Sequence, residues 1–191
     1  MIKKWLLLFI SILLAIGVSL FFTRDALHKN ITFHTEKVLR KAEAVSSQEQ
    51  CRKLTAWVYT HSDRISIDTA RFIAQEAIIT KKPLLMLALI EVESNFIPTA
   101  VSSKGAIGLT QIMDVHTKGL IKAGIIKDRR DLFNVSQSVH ACNFILDDML
   151  KKTGGNVGKA LDLYLGGKDG AYKNRILGHL GDLYILTLEV K

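Results

Sequence analysis

Two glutamates, Glu91 and Glu93, follow a run from Leu84 to Ile90 in which every side chain is apolar. A carboxyl group donates a proton near neutral pH only when its pKa is raised. Burial against apolar side chains raises it, and so does the negative end of a helix dipole. A glutamate closing an apolar helix has both conditions available. Residues two apart stand about 200° around a helix, so the two carboxylates cannot share one site. One is expected to face a cleft as a general acid, the other to face solvent or a salt bridge. Taken alone, the pair is explained more simply by ion pairs with nearby lysines.

The residues that follow change that balance. Glu93-Ser94-Asn95-Phe96 leads through Pro98 and Ala100 to Val101-Ser102-Ser103-Lys104-Gly105-Ala106-Ile107-Gly108-Leu109-Thr110-Gln111-Ile112-Met113. This ordered run, ES-x-F-x-P-x-A-x-S-x-x-G-A-x-G-L-x-Q-I-M after an apolar helix, closely resembles the soluble-lytic-transglycosylase (SLT) domain family. Ala160-Leu161-Asp162-Leu163-Tyr164-Leu165-Gly166-Gly167 is similar to that family's A-L-x-x-Y-N-A-G motif. Leu132-Phe133-Asn134 resembles the segment before its next helix. The likeness covers about residues 70–180. Several positions depart from the pattern: Thr110 where Met is frequent, Asp114 where Pro is frequent, and Leu165 and Gly166 where Asn and Ala stand. Ser138, Val139 and Cys142 occupy the usual Asn-Ile-x-x-Gly positions.

The resemblance implies an all-α, lysozyme-like fold and an enzyme that cuts peptidoglycan glycan strands with one carboxyl group. Glu93 takes the position of the family's glutamate. It would protonate the oxygen leaving from the β-1,4 bond between N-acetylmuramic acid and N-acetylglucosamine, with the muramic N-acetyl group stabilising the cationic centre. The ionised glutamate would then take the C6 hydroxyl proton, closing a 1,6-anhydro ring. Carried over by position, Ser102, Gln111 and Met113 are expected to contact glycan, and Tyr164 to orient Glu93 through a hydrogen bond. Ser94 is either a helix-terminal hydroxyl or a substrate contact. No cofactor is implied. Two other readings stand beside this one: a non-catalytic peptidoglycan-binding scaffold of the same fold, and a hydrolase with a second acid such as Asp114 or Glu91.

Elements must hold these residues in place, and the apolar periodicity predicts helices throughout. One runs from the cap at Ser47–Gln50 through Trp57 and Tyr59 to about His61, where both aromatics read as packing residues. Another follows Ser66 or Asp68, with Phe72, Ile73, Ala77 and Ile78 at helical spacing. Pro83 opens the apolar helix. Residues 95–108 read as a loop, with Gly105 and Gly108 allowing its turns and a short helix through Gln111 and Met113 after it. Helices over Ser138–Lys152, Val157–Leu165 and Gly170–Leu180 complete the set. The expected organisation is a membrane segment over 1–22, a helical stalk over 23–65, the catalytic domain over 66–182 and a tail over 183–191.

The amino-terminal segment places Lys3 and Lys4 before an uncharged run from Trp5 to Phe22. As a helix this run would span roughly 27 Å, close to the hydrocarbon thickness of a bilayer. It reads as a single-pass anchor in the inner membrane with the domain on the periplasmic side. The alternative is a signal cleaved near Gly17, which would release the protein to the periplasm. Arg24, Lys29, Lys37, Arg40 and Lys41 after the segment oppose that orientation, but wall glycan is not a cytoplasmic substrate. Small anchored enzymes of the resembling type often serve a secretion or conjugation machine, although no residue names such a partner. The net charge of +8 suits a membrane or wall surface. No basic run is interleaved with aromatics, so nucleic acid is not an expected partner. Cys51 and Cys142 have no metal-site spacing; they form a candidate disulfide, and two buried thiols would look the same in sequence.

Overall fold

The computed structural model describes residues 37–38, 40–41 and 46–188. Two compact units divide the chain, Met1–Gln48 and Glu49–Lys191. In the first, the described residues are helical. The expected membrane segment over 1–22 lies outside the described residues. Among those that are described, no helix is long and apolar enough to cross a membrane.

The second unit is helical, as the periodicity predicts, and among the described residues it contains no strand. Its first helix, α1, covers residues 49–60. Leu54 and Val58 on this helix are fully buried, so this stretch packs into the domain, where the sequence reading extended a stalk to residue 65. Helix α2 (Ile67–Ile78) starts at Ser66, whose hydroxyl accepts the Thr69 amide at 3.1 Å. It buries Ala70, Ile73, Ala74 and Ala77, while Phe72 stays 41% exposed. Helix α3 (Pro83–Ser94) has proline in its first turn, where a missing N–H costs nothing. Leu85 through Ile90 are all buried, because α2 and a later helix cover α3 on different sides.

Helices α4 (Thr117–Lys122), α5 (Val135–Lys152), α6 (Val157–Leu165) and α7 (Gly170–Leu188) follow. Asn134 caps α5, accepting the Ser136 amide at 2.9 Å, and Asn156 caps α6 by accepting the Lys159 amide at 3.0 Å. Asp169 receives the amides of Ala171 and Tyr172 at 2.8 and 3.1 Å, which fixes where α7 begins. Helix α7 packs along α3 and runs to Leu188 with Leu183 fully buried, through much of the expected tail.

Between α3 and α4 the expected short helix through Gln111 and Met113 does not form. Residues 101–112 instead make a tight double turn held by isolated bridges, Val101 with Ile107 and Ile107 with Ile112. Ala106, Ile107, Leu109 and Ile112 all point into the core, which a single helical face could not achieve over so few residues. Gly108 is indispensable to the turn. Its φ is +80°, and a Cβ there would lie 2.0 Å from the Leu132 carbonyl oxygen.

Candidate active site

Helix α3 ends in a left-handed residue, Asn95 (φ 51°), whose amide bonds the Glu91 carbonyl. Phe96 follows at φ 60° although it is bulky and fully buried, and Gln111 also has positive φ. Left-handed backbone in such residues costs on the order of 1 kcal/mol or more, and here it clusters where helix and turn meet. Ser94 fastens the two together. It is buried, and its hydroxyl donates to the Leu109 carbonyl at 2.6 Å, with the Ile90 carbonyl at 3.2 Å the second acceptor in reach. It also lines the adjoining cleft.

Beside this junction lies an open cleft of about 520 Å³, lined by the end of α3, the turn and α7. Glu93 lines it together with Ser102 and Gln111. Burial pushes the Glu93 carboxyl up to about 7, against the smaller lowering effects of a Tyr172 hydrogen bond and the Arg175 charge. The Tyr172 hydroxyl donates to Glu93 Oε1 at 2.5 Å, and burial together with the neighbouring carboxylate pushes the phenol pKa up, keeping it a donor. One oxygen of Glu93 is therefore pinned, and the other is left to carry a proton into the cleft.

Glu91 lines the same cleft but is engaged elsewhere. Its carboxylate accepts Trp57 Nε1 at 3.0 Å and pairs with His179 Nδ1 at 3.2 Å, and its side chain is only 8% exposed. The sequence reading expected the two carboxylates not to share a site, yet both line this cleft; what separates them is that Trp57 and His179 engage Glu91. Trp57 also stacks on His61, with ring centroids 3.9 Å apart. Asp114, the other candidate second acid, pairs with Arg129 at 3.2 Å and does not line the cleft. Arg129 also donates to the Gly105 carbonyl, bracing the turn.

Ser102 accepts the Ala106 amide at 2.9 Å, and Gln111 Nε2 donates to the carbonyls of Ala100 and Gly108 at 3.1 and 2.9 Å. Both side chains shape the turn from within while reaching the cleft. Met113 is 40% exposed and lies outside the cleft lining. Tyr164 requires a correction. Its hydroxyl donates to the Thr110 carbonyl at 2.7 Å, so it supports the turn, and the tyrosine bonded to Glu93 is Tyr172. Cys51 and Cys142 are both free, so the candidate disulfide is absent. Cys142 is fully buried, and burial pushes its thiol up to about 12. Among the described residues no cluster suited to a metal ion exists.

Sequence reasoning missed Tyr172, Arg175 and His179. They stand at i, i+3 and i+7 of α7, one helical face, and that spacing together with the Asp169 cap was the available signal. The transglycosylase SLT domain family model matches residues 71–175, more than half of the chain. No curated protein matches it.

Proposed function

Because the chain belongs to the transglycosylase SLT domain family, whose substrate is peptidoglycan, we propose that it is a lytic transglycosylase forming 1,6-anhydro-N-acetylmuramic acid, with Glu93 as sole acid and base. One observation carries this reading. Of the two carboxylates lining the cleft, only Glu93 is available, and its pKa of about 7 leaves it divided between acid and base near neutrality. Protonated on the oxygen that Tyr172 leaves free, it donates to the departing glycosidic oxygen. Ionised, it takes the C6 hydroxyl proton as the anhydro ring closes. The muramic N-acetyl group supplies the stabilisation that a second carboxylate gives in other glycosidases.

Ser102 and Gln111, lining the cleft, are glycan contacts in this reading; Met113 would act only on a strand extending past the lining. Hydrolysis would need a second free acid, and Glu91 is engaged by Trp57 and His179 while Asp114 pairs with Arg129. The test is mass spectrometry of fragments released from purified sacculi. Anhydro ends, lighter by one water and inert to borohydride, are expected from the wild type and absent with Glu93→Gln. Reducible ends would refute the reaction, and strands bound but left uncut would favour a scaffold.

In the same reading, residues 5–22 anchor the protein in the inner membrane with the domain in the periplasm, near a secretion or conjugation machine that needs an opened wall. The uncharged run from Trp5 to Phe22 after two lysines supports the anchor. A carboxy-terminal reporter active only outside the cytoplasm should function; cytoplasmic activity would overturn the location.

A further inference from the structure

Three polar side chains of α7 face the cleft or its floor, and two are engaged: Tyr172 with Glu93, and His179 with Glu91. Arg175, between them, lines the cleft, is exposed, and has no hydrogen bond or salt bridge to any described residue. Its charge is nevertheless felt by Glu93. Four ionisable groups line the cleft: Glu91, Glu93, Arg175 and His179. Glu91 and His179 satisfy one another, and Glu93 exchanges its proton near neutrality with one oxygen held by Tyr172. The guanidinium is the one charge there without a hydrogen-bonded or ion-paired counterpart among the described residues.

We propose that Arg175 binds a carboxylate carried by the substrate on the 3-oxygen arm of muramic acid. The identity of that strand rests on the transglycosylase reading. The sugar rings are uncharged, so the acid on each repeat resides on this arm, as the lactyl carboxylate of a bare strand or the carboxylates of an attached peptide. A guanidinium is always protonated and presents parallel N–H donors that match a carboxylate two-to-two. Its exposure lets it meet a flexible arm at the cleft edge, and Glu93 does not compete for it while protonated.

The experiment measures binding in the Glu93→Gln protein, which is expected to hold strands without cutting them. Three soluble strand fragments of equal length are compared: peptide-bearing, amidase-stripped with the lactyl carboxylate free, and stripped with that carboxylate converted to a neutral methylamide. The readout is the ratio of dissociation constants, neutral over charged, with and without Arg175→Gln. Adding Arg175→Gln should reduce the preference for charged strands about tenfold, the scale of a charge-assisted, two-point contact. Arg175→Lys should fall between, keeping the charge but not the fork. Loss confined to the stripped strand identifies the lactyl group as the ligand; loss confined to the peptide-bearing strand identifies the peptide. A preference that survives unchanged, or no preference in the parent protein, would overturn the inference. Anhydro release from sacculi by the wild type is scored separately. Selective binding without that product would sink the reaction and leave this contact standing, and the product without selectivity would do the reverse.

Discussion

Replacing Glu93 by Gln should stabilise the fold at alkaline pH while ending cleavage. The folded protein holds the Glu93 proton until about pH 7, against 4.5 for an ordinary glutamate. Between those values the native state binds more protons than the unfolded chain, so stability falls as pH rises through the window. At about 1.4 kcal/mol for each pKa unit, ionising this carboxyl in its site costs about 3 kcal/mol, fully expressed above pH 7. Glutamine has the same shape, can still accept the Tyr172 hydrogen bond and never carries the charge. The two proteins should therefore melt alike below about pH 4.5 and diverge as pH rises, with the variant more stable by roughly 6–12 °C at about pH 8. Thermal melts of the full chain followed by far-ultraviolet circular dichroism, at about pH 4.5 and about pH 8, measure this directly. A gap of equal size at both pH values, or a wild type more stable than the variant at pH 8, would refute burial as the source of the raised pKa.

Removing the Tyr172 hydroxyl with Tyr172→Phe takes away a bond that lowers the Glu93 pKa, so the alkaline limb of the pH–rate profile should move to higher pH. Turnover should also fall about tenfold from lost orientation of the acid; a profile that stays in place would show that the bond does not act on Glu93. Gly108→Ala should cost several kcal/mol, on the order of 3 or more, in urea melts, because its Cβ meets the Leu132 carbonyl and φ is positive. Protein purified without reductant should show two titratable thiols, half-buried Cys51 in the native state and Cys142 only after unfolding. Loss of both thiols to a bridge would contradict the fold.

Much of the helical frame was legible because local chemistry and tertiary packing agree there. Ser66 and Pro83 each satisfy or dispense with orphan amides at a helix start, whereas the sequence reading left the cap at Asn134 unused and the helix expected from Ser138 starts at Val135. The run Leu84–Ile90 is apolar on all sides because it is covered on more than one. The misplaced features depend on distant partners. Leu54 and Val58 announce a buried helix only when the rest of the domain is there to cover them. The segment around Gln111 has helix-compatible residues, but left-handed backbone at Gly105, Gly108 and Gln111 turns it back on itself. Tyr164 was carried over from a motif, and its distance from the Glu93 hydrogen bond is a matter of how α6 and α7 pack, not of sequence spacing.

The departures from the family pattern prove to be coupled in space. Thr110 and Ser138 are both fully buried and bond each other, Oγ1 to Oγ at 2.9 Å, with Thr110 Oγ1 also donating to the Ser138 carbonyl at 3.1 Å. Tyr164 completes the group through the Thr110 carbonyl, and Cys142 lies beside Tyr164. Each hydroxyl also has a backbone partner at the other position, the Ser138 carbonyl for Thr110 Oγ1 and the Thr110 amide, at 3.2 Å, for Ser138 Oγ. Together the two substitutions supply each other's partner, and so they are intelligible as one change in how the turn is tied to α5 and α6. The same group bears on the chemistry. Cys142 and Tyr164 lie close enough to Glu93 for their charges to interact, and both stay neutral because burial raises their pKa values. Neither group therefore adds a charge near Glu93, whose own carboxyl burial pushes up to about 7.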